Sequence, residues 1–223
     1  MSVPRRKSRQ LRRPRTYLRA DDRRAQILDV AKAVFVRRGF HVANVADICK
    51  AARIGRGTLY QYFDNKRAVM LALMEELAAR VARVLDERPR VDPVPGVSKA
   101  PVEMIVSFCR KRLRELLDAV FVDEPTLRLI LRDARGLDGA VDEVLAAIDQ
   151  LVLRALEADI RVAQDARLIR RGSPRLIARY LLGGVEKMVM TALANDEPVE
   201  LGAIVDVAVD IELFGILHEE VRR

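Results

Sequence analysis

Tryptophan is absent from these 223 residues, and histidine and cysteine occur only twice each. His41 and His218 stand near opposite ends of the chain, and Cys49 and Cys109 are far apart. No His/Cys/carboxylate cluster has metal-ligand spacing, so no metal site is expected. No G-x-S-x-G, phosphate loop or dinucleotide fingerprint occurs, and the carboxylates are scattered as on solvated helix faces. An enzyme and a bound cofactor are therefore not expected. Glycine and proline are few, and no alternating β pattern is found, which leaves an all-α protein. No apolar run is long enough to cross a membrane, because Leu201 to Leu217 is interrupted by Asp206, Asp210 and Glu212. No apolar segment follows the basic start, so no signal peptide is expected. The expectation is a soluble, cytoplasmic chain whose cysteines are reduced and buried in helical patterns.

What the chain has in excess is basic charge at its front. Residues 1 to 24 hold ten Lys/Arg against two Asp, and residues 25 to 67 hold eight against three. The remainder holds 22 basic against 27 acidic groups, so the net +8 of the whole chain comes from the front alone. A basic front on a mildly acidic body points to a polyanion partner at one end. Residues 1–20 cannot build a core and read as a disordered basic arm, able to follow phosphates or enter a minor groove, or simply to solubilise.

The stretch from Asn44 to Lys66, NVADICKAARIGRGTLYQYFDNK, organises the rest. Val45, Ile48 and Ala52 make one apolar stripe of a short helix. Asn44 is placed to cap it, with Asp47 at its third position. Arg53-Ile54-Gly55 breaks the pattern, and a second helix is expected from Arg56 to Phe63. Only Leu59 and Phe63 are spaced to face inward. Arg56, Gly57, Thr58, Tyr60, Gln61 and Tyr62 are left outside, where they can reach base edges and phosphates. Gly57 lets a backbone come close to a partner.

These pieces carry a resemblance. The helix ILDVAKAVFVRRGF (Ile27 to Phe40), then VADICKAA, then GTLYQYFDNK (Gly57 to Lys66), then VMLALMEE resemble the N-terminal domain of the TetR family of bacterial transcriptional regulators. Three positions depart from the family pattern: Arg53 where Gly is usual, Gly55 where a capping Ser is common, and Ala46 with no polar group. The resemblance implies that the Arg56 helix enters a major groove and that Lys66 touches a backbone phosphate. The DNA-binding set is then Asn44, Arg56, Gly57, Thr58, Tyr60, Gln61, Tyr62 and Lys66.

Residues 22–38 are expected to form the first helix, ended by Gly39, with Ile27, Ala31, Val34 and Phe35 buried. Asp64 or Asn65 should cap a long helix to about Glu87, with Val69, Leu73, Leu77, Val81 and Val84 inward. Residues 88–101 read as a loop, with four of the nine prolines. Further helices are expected at 102–121, 125–135, 141–163, 174–194 and 199–217, with Pro125, Pro174 and Pro198 at first helical positions. The organisation is an arm at 1–20, a three-helix helix-turn-helix domain at 21–67 and a helical bundle at 68–223, about nine helices in all.

The family uses such a bundle for two tasks. For dimerisation the last two helices offer Leu181, Gly184, Val185 and Met188, then Ile204, Ala208 and Ile211, with Gly183-Gly184 costly in mid-helix unless close approach is needed. For an effector pocket the candidates are Met104, Phe108, Phe121, Leu129, Leu145 and Ile148, beside Leu116 and Leu151; any of them also suits an ordinary core. Aromatics are scarce beyond residue 67, which points away from flat aromatic cations and toward an aliphatic or acyl-like effector, with Arg132 or Arg135 for an acidic head. The expected function is a homodimeric repressor of a palindromic duplex operator, released by a small apolar effector. Its rivals are a DNA-bound adaptor that recruits a protein without an effector, and a nucleic-acid coating protein driven by the arm.

Overall fold

The structure is a computed structural model, and it describes residues 20–87, 102–133, 139–195 and 197–214. The expectations for residues 1–19, the loop 88–101, Arg135, His218 and the last three residues of the helix expected at 199–217 lie outside those residues. The described residues are all helical, in nine helices: α1 (Ala20–Arg38), α2 (Val45–Ala52), α3 (Arg56–Tyr60), α4 (Lys66–Asp86), α5 (Val102–Phe121), α6 (Glu124–Asp133), α7 (Gly139–Asp165), α8 (Pro174–Ala194) and α9 (Leu201–Phe214).

Helix α1 opens on Asp21 and Asp22 and closes on Arg37 and Arg38, charges that suit the dipole at each end. It buries Ile27, Leu28, Ala31, Val34 and Phe35. Gly39 then takes φ +78°, a left-handed conformation that a Cβ would strain. Its N–H bonds to the Phe35 carbonyl at 2.8 Å and closes the helix. At α2 the Asn44 side chain accepts from the Asp47 N–H while Asp47 accepts from the Asn44 N–H, a reciprocal capping box. Arg53 ends α2 at φ 55°, ψ 43°, the αL conformation for which the family pattern has Gly.

Helix α3 is shorter than the expected Arg56–Phe63. It stops at Tyr60, and the N–H groups of Tyr62 and Phe63 both bond to the Leu59 carbonyl. Beyond this stop the Phe63 ring lies in the core, 4 % exposed. Gly55 at its N-cap offers no side chain to the first turn. Of the two candidate caps for α4, Asn65 serves, accepting from Ala68 N at 3.0 Å.

Helix α4 joins head to body, packing on α1 on one side and on α5 and α7 on the other. It is therefore buried on more than one face: Val69, Met70, Ala72, Leu73, Met74, Leu77 and Val81 are covered, while Val84 is half-buried. One apolar cluster runs from Ile27 through Leu59, Phe63 and α4 to Val209. Each fully buried Ile, Leu or Phe in it contributes about 1.5–3 kcal/mol. In the body, Pro174 is the first residue of α8 behind the Ser173 cap, as expected. The other two prolines are corrected. Pro125 is the second residue of α6, because Asp123 already caps Thr126. Pro198 precedes α9, which begins at Leu201.

Candidate nucleic-acid interface

The head presents α3 to solvent. Leu59 is fully buried and anchors it, and Arg56, Gly57, Tyr60 and Gln61 are exposed, Tyr60 by 50 %. Nothing lies within 4 Å of where a Cβ would stand on Gly55 or Gly57, so a partner's backbone has open access there. Gln61 lies in the turn after the helix. Thr58 and Tyr62 are half-buried, Tyr62 against the apolar cluster, so the expectation that both stand wholly outside is corrected. Asn44 is exposed, but its side-chain oxygen is spent on the α2 cap, which leaves its amide N–H groups for a partner. The αL turn turns Arg53 outward next to α3, and Lys50 and Arg67 are exposed around it. These three basic groups were not among the expected contacts. Arg53 was legible only as a departure from the family turn.

Lys66 is corrected more deeply. Its ammonium donates to the carbonyls of Phe40 (2.8 Å), His41 (3.0 Å) and Ala43 (2.9 Å), and it lies 4.7 Å from the Phe40 ring centre. An ammonium has three N–H donors, and all three are taken, so none remains for a phosphate. Other cations of the head also brace it. Arg38 pairs with Asp47, joining the end of α1 to the α2 cap, and Arg24 lies 5.3 Å over the Phe63 ring. Burial pushes the Cys49 thiol up, against the nearby Arg56, and likewise pushes up Cys109, which keeps both thiols protonated.

The body brings together few of the expected pocket residues. Met104 is 62 % and Phe108 41 % exposed, so these two face outward, and Arg112 stacks on the Phe108 ring. Phe121, Leu145 and Ile148 are half-buried against the cluster, and Leu129 is buried in it. Arg132 turns to its neighbour Asp133 at 2.8 Å. One open groove of about 320 Å³ lies between α5 and α9 at Val106, Arg110 and Phe214, and another of about 480 Å³ lies between α8 and α9 at Met188, Thr191 and Val207. Neither is lined by any of the six pocket candidates.

Of the expected dimer residues, Gly184 and Ile211 are exposed, and Leu181, Met188 and Ile204 are half-buried. Val185 and Ala208 are buried within their own chain, so the expectation that these two lie on an interface with a partner is corrected. Leu176 (64 % exposed), Tyr180 (71 %) and Val207 (47 %) are further apolar residues of α8 and α9 left open. Among the described residues no three His, Cys, Asp or Glu gather as a metal site, and no helix is long and apolar enough to cross a membrane.

Comparison with known proteins agrees with this geometry. Residues 27–73 match the family model described as bacterial regulatory proteins, tetR family. The chain is 28% identical over 196 residues to the transcriptional regulator TtgR of Pseudomonas putida, covering 80% of this chain and 93% of that one. Among solved structures it resembles SmeT in complex with triclosan (TM-score 0.68, 25% identity, 90% of this chain and 94% of that one); SmeT is the repressor of the Stenotrophomonas maltophilia multidrug efflux pump SmeDEF. It also shares the fold of FadR of Bacillus subtilis in complex with stearoyl-CoA (TM-score 0.65, 21% identity, 86% and 99% covered). With α1 packed on both α2 and α4 and α3 packed on α2, residues 27–73 are a domain of the TetR family of bacterial regulatory proteins, and the chain is similar to transcriptional regulators along most of their length.

Proposed function

We propose that the chain is a homodimeric repressor that reads a palindromic duplex operator and leaves it when a small apolar effector binds. One observation carries this: α3 and the turn after it expose Arg56, Gly57, Tyr60 and Gln61, with open space over Gly57. In this account α3 lies in the major groove, with Arg56, Thr58 and Gln61 toward base edges. Tyr60, Tyr62, Arg53 and the Asn44 amide hold phosphates and set the register. The exposed apolar face of α8 and α9 pairs two subunits, and a two-fold dimer matches two half-sites about one helical turn apart.

The effector class rests on a scarcity of rings in the body and on two relatives. One was solved with stearoyl-CoA, whose acyl chain is long and apolar, and the other with triclosan, a small and mostly apolar molecule. An effector that binds the undocked arrangement more tightly draws the population away from DNA. A DNA-bound adaptor is supported by a different observation. The apolar candidates of the body either pack in the core or face outward, and both grooves are open. A ligand at a hundred times its Kd stabilises its receptor by about 2.7 kcal/mol, so thermal melts with stearoyl-CoA and with triclosan separate the two: a rise in Tm supports the sensor and its absence the adaptor. The DNA-reading part is tested by two substitutions. Tyr60→Phe should weaken binding to all duplexes alike, whereas Gln61→Ala should relax preference at one base pair, by about 1–3 kcal/mol. Unchanged affinity in both would contradict the placement of α3.

A further inference from the structure

The turn between α1 and α2 is held from two distant parts of the chain at one residue. The Phe40 carbonyl accepts from Lys66, the first residue of α4, at 2.8 Å. The Phe40 N–H donates to Asp133 Oδ2, on the last residue of α6, at 3.0 Å across 93 residues of sequence. Asp133 is a buried carboxylate, 8 % exposed, and its oxygens also accept from Arg132 at 2.8 and 3.2 Å. The Arg132 pair and the Phe40 N–H hold it below the usual carboxylate range, against its own burial. The other end of α6 grips the head as well, through Lys32 and Asp123 at 2.7 Å. Helix α6 is in turn fastened to the body, where Arg128 donates to the carbonyls of Leu193 (2.7 Å) and Glu197 (3.1 Å).

We propose that Lys66 and Asp133 are positioning residues of the DNA-reading head: by occupying both backbone polar groups of Phe40 they fix the angle at which the head meets the body. A single helix, α4, crossing from head to body leaves bending and rotation open. The bonds at Phe40, with the Lys32–Asp123 pair at the far end of α6, remove that freedom. The inference rests on the dimeric reading above. In a two-fold dimer this angle sets the separation of the two α3 helices and so the spacing of half-sites, while base preference stays with α3.

The test uses the full chain with paired half-sites selected by the wild type, and duplexes with a base pair inserted or removed between them. The wild type should discriminate against altered spacing by about tenfold or more, as half-site spacing is a geometric property of the dimer. Asp133→Ala and Lys66→Met should lose most of that discrimination and keep the base preference within each half-site. Asp133→Asn retains an acceptor for the Phe40 N–H and should keep most of it. A general loss of stability would lower binding to every duplex equally and leave discrimination intact. Discrimination unchanged in the alanine and methionine variants would overturn the proposal. If either variant does not fold, Lys32→Gln decides in its place, with a smaller loosening expected. If the wild type selects no paired sites, the dimeric reading fails by itself. The head angle is then read directly, from the distance distribution between spin labels at Lys50 and Arg154 within one chain, with Cys49 and Cys109 replaced by Ala. Broadening in Asp133→Ala supports the proposal, and an unchanged width overturns it.

Discussion

The head and the body bury their apolar residues differently. In α1 to α3 the inward side chains are almost completely covered: Ile27, Phe35, Ile48 and Leu59 are each 0 % exposed. In α8 and α9 much of the apolar surface stays half-covered or open, with Leu176, Tyr180, Val207, Ile211 and Phe214 all outside. The inward side of the head is thus satisfied by its own contacts, and what α3 and its turn leave most exposed is polar and basic, with Val36 and Val42 the large aliphatic side chains of the head left open. Several large apolar side chains left open on two packed helices have the character of surface that a partner covers. Side chains that are rigidly backed can place donors against base edges, whereas an apolar face without a rigid polar pattern is suited to pairing.

Breaking the head should have the largest effect. Leu59→Ala removes a fully buried side chain from the base of α3, and such truncations cost about 2–5 kcal/mol. Thermal denaturation should show a markedly lower Tm, with DNA binding lost. Breaking the face of the body should act on assembly instead. Ile211→Asp should give monomers in sedimentation velocity with helical content near that of the wild type; a dimer that survives would move the pairing surface off α9. A smaller change sharpens the head. Arg53→Gly relieves a left-handed non-glycine residue, worth roughly 1 kcal/mol, so Tm should rise. DNA affinity should nevertheless fall, with the salt slope reduced by about one, because a phosphate contact is removed.

A further predicted effect lies in the body and depends on pH. Burial pushes Glu212 up from its ordinary 4.5 to about 7. The unfolded chain releases this proton first as pH rises, so the group subtracts stability from about pH 4.5 up to about 7, and the deficit is constant above that. Glu212→Gln should therefore melt higher than the wild type at pH 8, and the two should converge near pH 4. A gap that widens toward acid would contradict the burial of this side chain.

Much of this was legible where local chemistry decides. The ends of α5 and α8 follow from a loop of prolines and from a serine cap before Pro174. Gly39 announced the end of α1 and Asn44 and Asp47 the start of α2, and the spacing of Leu59 and Phe63 gave the exposure of Arg56, Gly57, Tyr60 and Gln61, though not the partial burial of Thr58 and Tyr62. What was not legible depends on tertiary contacts. Helix α3 ends early, and Phe63 lies in the core beyond it. The use of Lys66 as a clamp depends on carbonyls more than twenty residues away, and Asp133 meets Phe40 across 93 residues. In α5 the apolar residues occupy more than one face, so sequence spacing could not tell that Val106 and Leu117 turn in while Met104 and Phe108 turn out.

The central claim is that α3 reads sequence as part of a dimer. It is tested most directly by selecting bound duplexes from a random pool at near-physiological salt, beside the Thr58→Ala/Tyr60→Ala double variant. The account predicts one palindromic sequence enriched by the wild type and lost in the variant. Binding without any preferred sequence, steep in salt and equal in the variant, would contradict it and place the DNA contact outside α3.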